Sequence, residues 1–381
     1  MSDEPATMDV REGRALLRLP RAERSTRGPE SKGTADVFYN PAMALNRDLS
    51  SLLLATRAED GWTVLDGLAA SGARGIRYAR ESERDLHVEF NDWNPVAARL
   101  IEENCRLNGV EPHVTQRNLA ALLTESVWHV IDVDPFGSPA PFLDGAARGM
   151  RDKGVLGITA TDATALAGVY PNVCLRRYLA EPMHNELMHE IALRILAGSA
   201  VRQAAKHDLA LAPLLAHATD HYYRVILGAR RGAARADASM ARIGMAFFCR
   251  ACGERGFDAP RACPGCGGDV ERAGPLWTGP LVDRDAAQAM LARAGDFPFA
   301  DAEAPRLLDL LAQEAEAPGL FFDIHEAGSR ARVGSPPTER VVEALRASGH
   351  GVWPVHFNRL ALRTTASAKE VASIVRDASR A

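Results

Sequence analysis

Thr63-Val-Leu-Asp-Gly-Leu-Ala-Ala-Ser-Gly-Ala-Arg-Gly75 opens on a short apolar strand, turns after Asp66 through small residues, and runs into a helix. The same alternation continues downstream. His87-Val-Glu-Phe90 reads as a second strand, closed by Asn91-Asp92. A helix follows over 95–108, with Pro95 in its first turn, where the missing N–H loses no hydrogen bond. Trp128-His-Val-Ile-Asp-Val133 is a further strand ending at Asp134-Pro135, residues 141–150 are helical, and Gly154-Val-Leu-Gly-Ile-Thr-Ala160 is another strand. Strands alternating with helices predict an α/β fold built on a parallel, doubly wound, Rossmann-like sheet. Ligands of such sheets bind at the carboxyl ends of the strands. The polar residues collect there: Asp66, Asp92, Asp134 and Thr161-Asp162.

At 381 residues the chain exceeds one typical domain. Residues 1–36 are polar and read as an N-terminal arm, with one short strand over 15–19. Residues 37–240 hold the Rossmann-like domain, in which 175–223 read as mostly helical and 230–239 as an Ala/Arg linker. Residues 241–381 form a smaller α+β domain, with a cysteine module over 245–270. From 303 onward, two helical patterns precede a hairpin-like alternation over 350–365, a winged-helix-like end. No uninterrupted apolar stretch of about 18 residues predicts a membrane span, and the charged N-terminus is unlike a secretory signal, so a cytoplasmic location is expected. The net charge of −4 does not advertise nucleic-acid binding. Arginines do cluster over 11–27 and 224–242, and local basic patches matter more to phosphate than the sum. Taken alone, each run reads as a solvated surface. The isolated His184, His189, His207, His217 and His221 read as satisfied core or surface residues.

Three constellations carry chemistry. The loop 67–75 lets backbone approach a ligand closely, and Asp92, about 25 residues after the first strand, can accept both hydroxyls of a ribose. That pairing suits a nucleoside cofactor. No Gly-Lys-Ser/Thr loop is present to hold a nucleoside triphosphate. Asp134-Pro-Phe-Gly137 resembles the Asp/Asn-Pro-Pro-Tyr/Phe tetrapeptide of enzymes that methylate exocyclic amines of bases. Such an amine has its lone pair delocalised into the ring. A carboxylate on its N–H concentrates density on nitrogen and takes the proton. A neighbouring aromatic can stack on an extruded base. Cys249-x-x-Cys252 and Cys263-x-x-Cys266 have the spacing of a closed, structural zinc knuckle.

Taken in order, the stretches Val37-Phe-Tyr-Asn-Pro41, Leu45-Asn-Arg-Asp48, Ala69-Ala-Ser-Gly-Ala-Arg-Gly-Ile-Arg77, Asn91-Asp-Trp-Asn-Pro95, Asp132-Val-Asp-Pro-Phe-Gly-Ser-Pro139, Thr159-Ala-Thr-Asp162 and Asp220-His-Tyr-Tyr-Arg224 resemble the tRNA (guanine, position 26)-N2-dimethyltransferases. The resemblance implies transfer of one or two methyl groups from S-adenosylmethionine to a tRNA guanine at position 26, and also at 27 in some relatives. It implies a C-terminal domain that holds tRNA, with no protein partner required. Arg47, Arg74, Asp92, Asn118 and Leu119 would contact the cofactor, with Asn118 standing where the family often has an acidic residue. Asp134 would be the proton acceptor, with Asp132 as the alternative, and Phe38 and Phe136 would pack on the guanine. Two other readings fit parts of the chain: an amino-methyltransferase of another RNA base, and a non-catalytic zinc-knuckle RNA-binding protein.

Overall fold

A computed structural model describes residues 7–20, 37, 39–219, 222–258 and 260–380. Its first element is a hairpin of β1 (Thr7–Glu12) and β2 (Ala15–Pro20), turned at Gly13. In β2, Ala15, Leu17 and Leu19 are buried and alternate with half-buried residues, the period-2 pattern of a strand with one face on the core. Then come α1 (Ala44–Arg57), β3 (Thr63–Asp66), α2 (Ala73–Glu81), β4 (His87–Asn91), α3 (Pro95–Leu107), β5 (His113–Thr115), α4 (Leu119–Glu125) and β6 (Trp128–Val133). After these follow α5 (Leu143–Gly149), β7 (Met150–Ala160), α6 (Ala163–Leu166), α7 (Pro171–Tyr178), α8 (Met188–Ala205), β8 (Leu209–Thr219) and β9 (Tyr222–Arg231).

Seven of these strands form one sheet in the order β5-β4-β3-β6-β7-β9-β8. β3 to β7 pair in parallel, while β9 is antiparallel to both β7 and β8. From β3 the chain steps outward to β4 and β5, then crosses back to β6. That reversal leaves a crevice beyond the carboxyl ends of β3 and β6.

Two local expectations fail. Residues 209–219 are a strand, although Ala and Leu favour a helix there. The segment is apolar on both faces, and pairing with β9 under the cover of helices outweighs local propensity. The supposed linker over 230–239 contains a helix, α9 (Ala233–Met240).

The C-terminal part carries β10 (Ile243–Phe248), β11 (Arg255–Gly256) and β12 (Glu271–Trp277) in one three-stranded sheet, followed by α10 (Arg284–Ala294) and α11 (Ala304–Glu314). Then β13 (Phe322–Asp323), α12 (Ile324–Ala331), α13 (Thr338–Ala347), β14 (Val352–Pro354), β15 (Ala361–Thr364) and α14 (Ala368–Arg380) end the chain, with strand order β13-β15-β14. The apolar core does not stop at residue 240: it runs from Ile131 on β6 through Leu193 and Leu196 on α8 to Phe248, Leu276 and Trp277. No helix among the described residues is long and apolar enough to cross a membrane.

The N-terminal hairpin is docked by charge as well as by apolar contact. Glu12, 2 % exposed, accepts from Arg47 Nε and Nη2, each at 2.6 Å, and from Tyr39 Oη at 2.7 Å. Arg77 donates to Glu12 at 3.1 Å and to Glu81 at 2.9 Å, and its Nη2 lies 2.5 Å from Asp48. Asp48 also accepts the backbone N–H of Asp301 at 2.8 Å, tying residue 301 to the same knot. Burial would raise the Glu12 carboxyl, but hydrogen bonds and charge from Arg47 and Arg77 outweigh it and pull it down to about 2. A depressed folded value stabilises the fold above the ordinary carboxylate range, and that stability drains away as pH falls toward 2. The contribution is on the order of 3 kcal/mol. Denaturant unfolding between pH 5 and pH 2 should show this loss in the wild type, and Glu12→Gln should lack it. Equal acid slopes in the two proteins would remove the Glu12 knot as the cause.

Candidate active site

At the end of β3, Asp66 accepts the backbone N–H of Gly75 at 2.9 Å. Burial, reinforced by the charges of Asp132 and Asp134, pushes it up to about 7 in spite of Arg74. The loop that follows is drawn close to β6: Gly67 N donates to Asp132 O at 3.0 Å. A Cβ on Gly67 would meet that oxygen and the Leu119 methyls, so only glycine permits the approach. Asp92 fixes the far side of the loop. Its Oδ2 accepts from Ala70 N and its Oδ1 from Asn94 N, both at 2.9 Å, so the carboxylate has one orientation. Asn118 caps α4, accepting from Ala120 N at 2.9 Å, and Leu119 is buried beneath the loop. Asp92 and Leu119 thus border the same loop, while Asn118 caps the neighbouring helix.

Beneath the adjacent segment lies a chain of alternating charges. Arg224 of β9 donates to both oxygens of Asp132, at 3.0 and 2.5 Å. Tyr78 Oη donates to Asp132 at 2.8 Å, and Arg74 Nε approaches it at 3.3 Å. Burial alone would raise Asp132, but Arg224 and Arg74 outweigh it and hold it below the ordinary range. At 1 % exposure, with both oxygens engaged, Asp132 is an internal anchor. Arg74 passes the chain on. Its Nη1 donates to Asn46 at 3.0 Å and its Nη2 to Asp134 Oδ2. The Asp134 side chain is 22 % exposed, at the mouth of the crevice.

Asp134-Pro-Phe-Gly137 is clasped from β7. Gly137 N donates to Thr161 Oγ1 at 2.6 Å, and Thr161 N donates to Gly137 O at 2.9 Å. Phe136 stands 75 % exposed beside Asp134. Phe38 and His221 lie outside the described residues. Arg47 faces Glu12 and the carbonyl of Asn40, so its charge is already paired within the protein. Glu12 and Tyr78 carry no sequence signal for these contacts. Arg224 does: it closes one of the stretches that carry the family resemblance.

The four cysteines converge, with all Sγ atoms within 4.8 Å of one another. Cys249–Cys266 and Cys252–Cys263 are 3.6 and 3.4 Å apart. A zinc tetrathiolate with bonds of about 2.3 Å has sulfur–sulfur edges of about 3.8 Å, so the set fits that ion. The two knuckles repeat one design: Gly253 N donates to Cys249 O and Gly267 N to Cys263 O, both at 2.8 Å. Gly253 and Gly267 have φ of 79° and 76°, where a side chain would be strained.

A profile of the family described as N2,N2-dimethylguanosine tRNA methyltransferase matches residues 18–376. A Methanopyrus kandleri protein named tRNA (guanine(26)-N(2))-dimethyltransferase is 42 % identical over 378 residues, covering 96 % of both chains. A Thermococcus kodakarensis protein of the same name is 37 % identical, covering 97 % of this chain and 98 % of its own. The solved structure of Trm1 from Pyrococcus horikoshii with S-adenosyl-L-methionine superposes with a TM-score of 0.85 at 32 % identity, covering 97 % of this chain and 99 % of that one.

Two outcomes test this geometry. A Cβ at Gly157 would collide with Arg224 Nη2 and Asp132 Oδ2. Gly157→Ala should therefore destabilise the protein by about 1–3 kcal/mol, read as a lowered thermal midpoint. An unchanged midpoint would show that the anchor can shift without loss. Elemental analysis of purified protein should find one zinc per chain, and Cys263→Ser should reduce it.

Proposed function

Because the chain belongs to the N2,N2-dimethylguanosine tRNA methyltransferase family, we propose that it methylates the exocyclic N2 of guanine 26 in tRNA, once or twice, from S-adenosylmethionine. The observation that carries the reading is the Asp134 carboxylate, open to the crevice and oriented by Arg74. When bound, S-adenosylmethionine would supply an electrophilic methyl group, the methyl–sulfur bond breaking with its electron pair left on the neutral thioether. The residues at the strand ends fit that group: Asp92 presents an oriented carboxylate suited to a ribose diol, beside a loop whose small residues leave room for a ligand. Leu119 and Asn118 are the sequence-based candidates to border an adenine, and Arg47 would meet the methionine carboxylate only by sharing the guanidinium that Glu12 and Asn40 hold.

Asp134 accepts an N–H of the guanine amine, localises the nitrogen lone pair, and takes the proton as the N–C bond forms. Its exposure lets that proton pass to water. After one transfer the amine keeps a single N–H, so the same carboxylate can act again. After two, no N–H remains to hold the base there. Phe136 offers a ring face to the extruded guanine, and Phe38 is its sequence-based companion. Arg74 is read as a positioning residue for Asp134 rather than a cofactor contact; what supports this is its bonds to Asp134, Asp132 and Asn46. Residues 241–381, with a knuckle whose four cysteines could hold zinc and a winged-helix-like order of α12, α13, β14 and β15, are read as the part that holds tRNA.

Protein, labelled methyl donor and tRNA should together give N2-methylated guanosine on nucleoside digestion. A tRNA with adenine at position 26 should take no label, and undiminished labelling would sink the site assignment. Asp134→Asn should bind S-adenosylmethionine as the wild type does while turnover falls about 10²- to 10⁴-fold. Wild-type turnover in that variant would move the proton acceptor elsewhere.

A further inference from the structure

Among the described residues, the strongly exposed aromatic side chains are Trp93, Phe136 and Tyr170, at 76, 75 and 58 %. Trp93 and Phe136 closely follow the carboxyl ends of β4 and β6, the edge that bears Asp92 and Asp134, and Tyr170 lies beyond β7 and α6, at the start of α7. Phe136 and Trp93 flank the carboxylates discussed above; Tyr170 has no part in that account. It belongs to a concentrated patch. Of the twelve exposed large apolar side chains among the described residues, Val169, Tyr170, Leu175 and Leu179 fall within residues 169–179. Arg176 and Arg177 are exposed on the same short helix.

The patch is rigidly coupled to the Asp134 loop. Ser138 Oγ donates to Tyr178 Oη at 2.8 Å, and Tyr178 Oη donates to Asp162 at 2.7 Å. Arg177 braces Asp162 at 2.9 Å, and the neighbouring Thr161 clasps Gly137. The Tyr170 end is equally fixed. Tyr170 N donates to Thr164 O at 3.3 Å, and Gly168, at φ 82°, packs on His184, whose Nδ1 lies 2.9 Å from Ala167 O. A ring held on a preorganised segment loses little freedom when something stacks on it. Apolar faces beside cations suit unstacked nucleobases on a phosphate backbone: the rings meet bases, and the guanidinium meets phosphate.

We propose that the 169–179 surface is a second nucleotide-binding subsite, with Tyr170 stacking on a base that flanks the target guanine and Arg176 meeting the adjoining phosphate. This rests on the tRNA-methyltransferase reading and deepens it. Lifting one guanine out of a folded RNA unstacks its neighbours, and an aromatic platform coupled to the catalytic loop holds the opened strand in register.

Steady-state methylation of tRNA, with donor affinity measured separately, tests the subsite. Tyr170→Ala should raise the KM for tRNA about tenfold, the size of one lost base–aromatic stack. The donor Kd should stay within twofold and the thermal midpoint unchanged. Tyr170→Phe should retain near-wild-type KM, because the ring face and not the hydroxyl does the stacking. Arg176→Ala should lower the salt slope of tRNA binding by about one phosphate contact. A KM within twofold in Tyr170→Ala, or equal damage in Tyr170→Phe, overturns the proposal. So does light scattering that finds a wild-type dimer and a Tyr170→Ala monomer, since the patch would then face a second copy. Wild-type protein that labels no tRNA removes the underlying reading; a labelling wild type with an unaffected Tyr170→Ala removes only the subsite.

Discussion

The buried carboxylate of Asp132, held between Arg224 and Arg74, is the contact on which the site depends. Removing such charges from water costs several kcal/mol per ion, and well-packed apolar residues in their place are often as stable. The arrangement is therefore better understood through what it positions than through what it stabilises. Arg224 comes from an antiparallel strand late in the chain, Arg74 from the helix after the first parallel strand, and Asp132 from the strand between them. Once Asp132 fixes Arg74, that guanidinium can present Asp134 in one orientation. Gly157 makes the geometry possible by leaving the space a side chain would fill.

The two aspartates, two residues apart on one strand end, divide the work by environment. Asp132 points inward and is fully engaged, so the charge that Arg224 and Arg74 favour on it is chemically remote. Asp134 reaches the crevice and can exchange protons with water. Period-2 alternation would put both on one face of a strand, but the strand ends at Val133, and Pro135 carries the chain into a loop. The separation of roles comes from that ending.

A second charge knot, around Glu12 and Arg77, lies on the same α1–α2 side of the sheet. It fastens the N-terminal hairpin to α1 and α2, and through Asp48 to the segment before α11. Arg47, expected to meet the cofactor, belongs to this knot.

Local patterning made much of this legible. The alternation of apolar strands with helices predicts the parallel half of the sheet, because a strand buried on both faces must be apolar throughout and a crossover helix must follow it. The two Cys-x-x-Cys pairs and the strand-end carboxylates Asp66, Asp92 and Asp134 are likewise legible, since chemistry there requires given residue types at given spacings. Tertiary structure alone decided that Ala- and Leu-rich residues 209–219 are a strand, because neighbours supply hydrogen bonds that local propensity does not foresee. It alone joined Glu12 to Arg47 and Arg224 to Asp132, pairs 35 and 92 residues apart. A buried charge names its need for a partner but not the partner's position in the chain, and only the folded geometry supplies that.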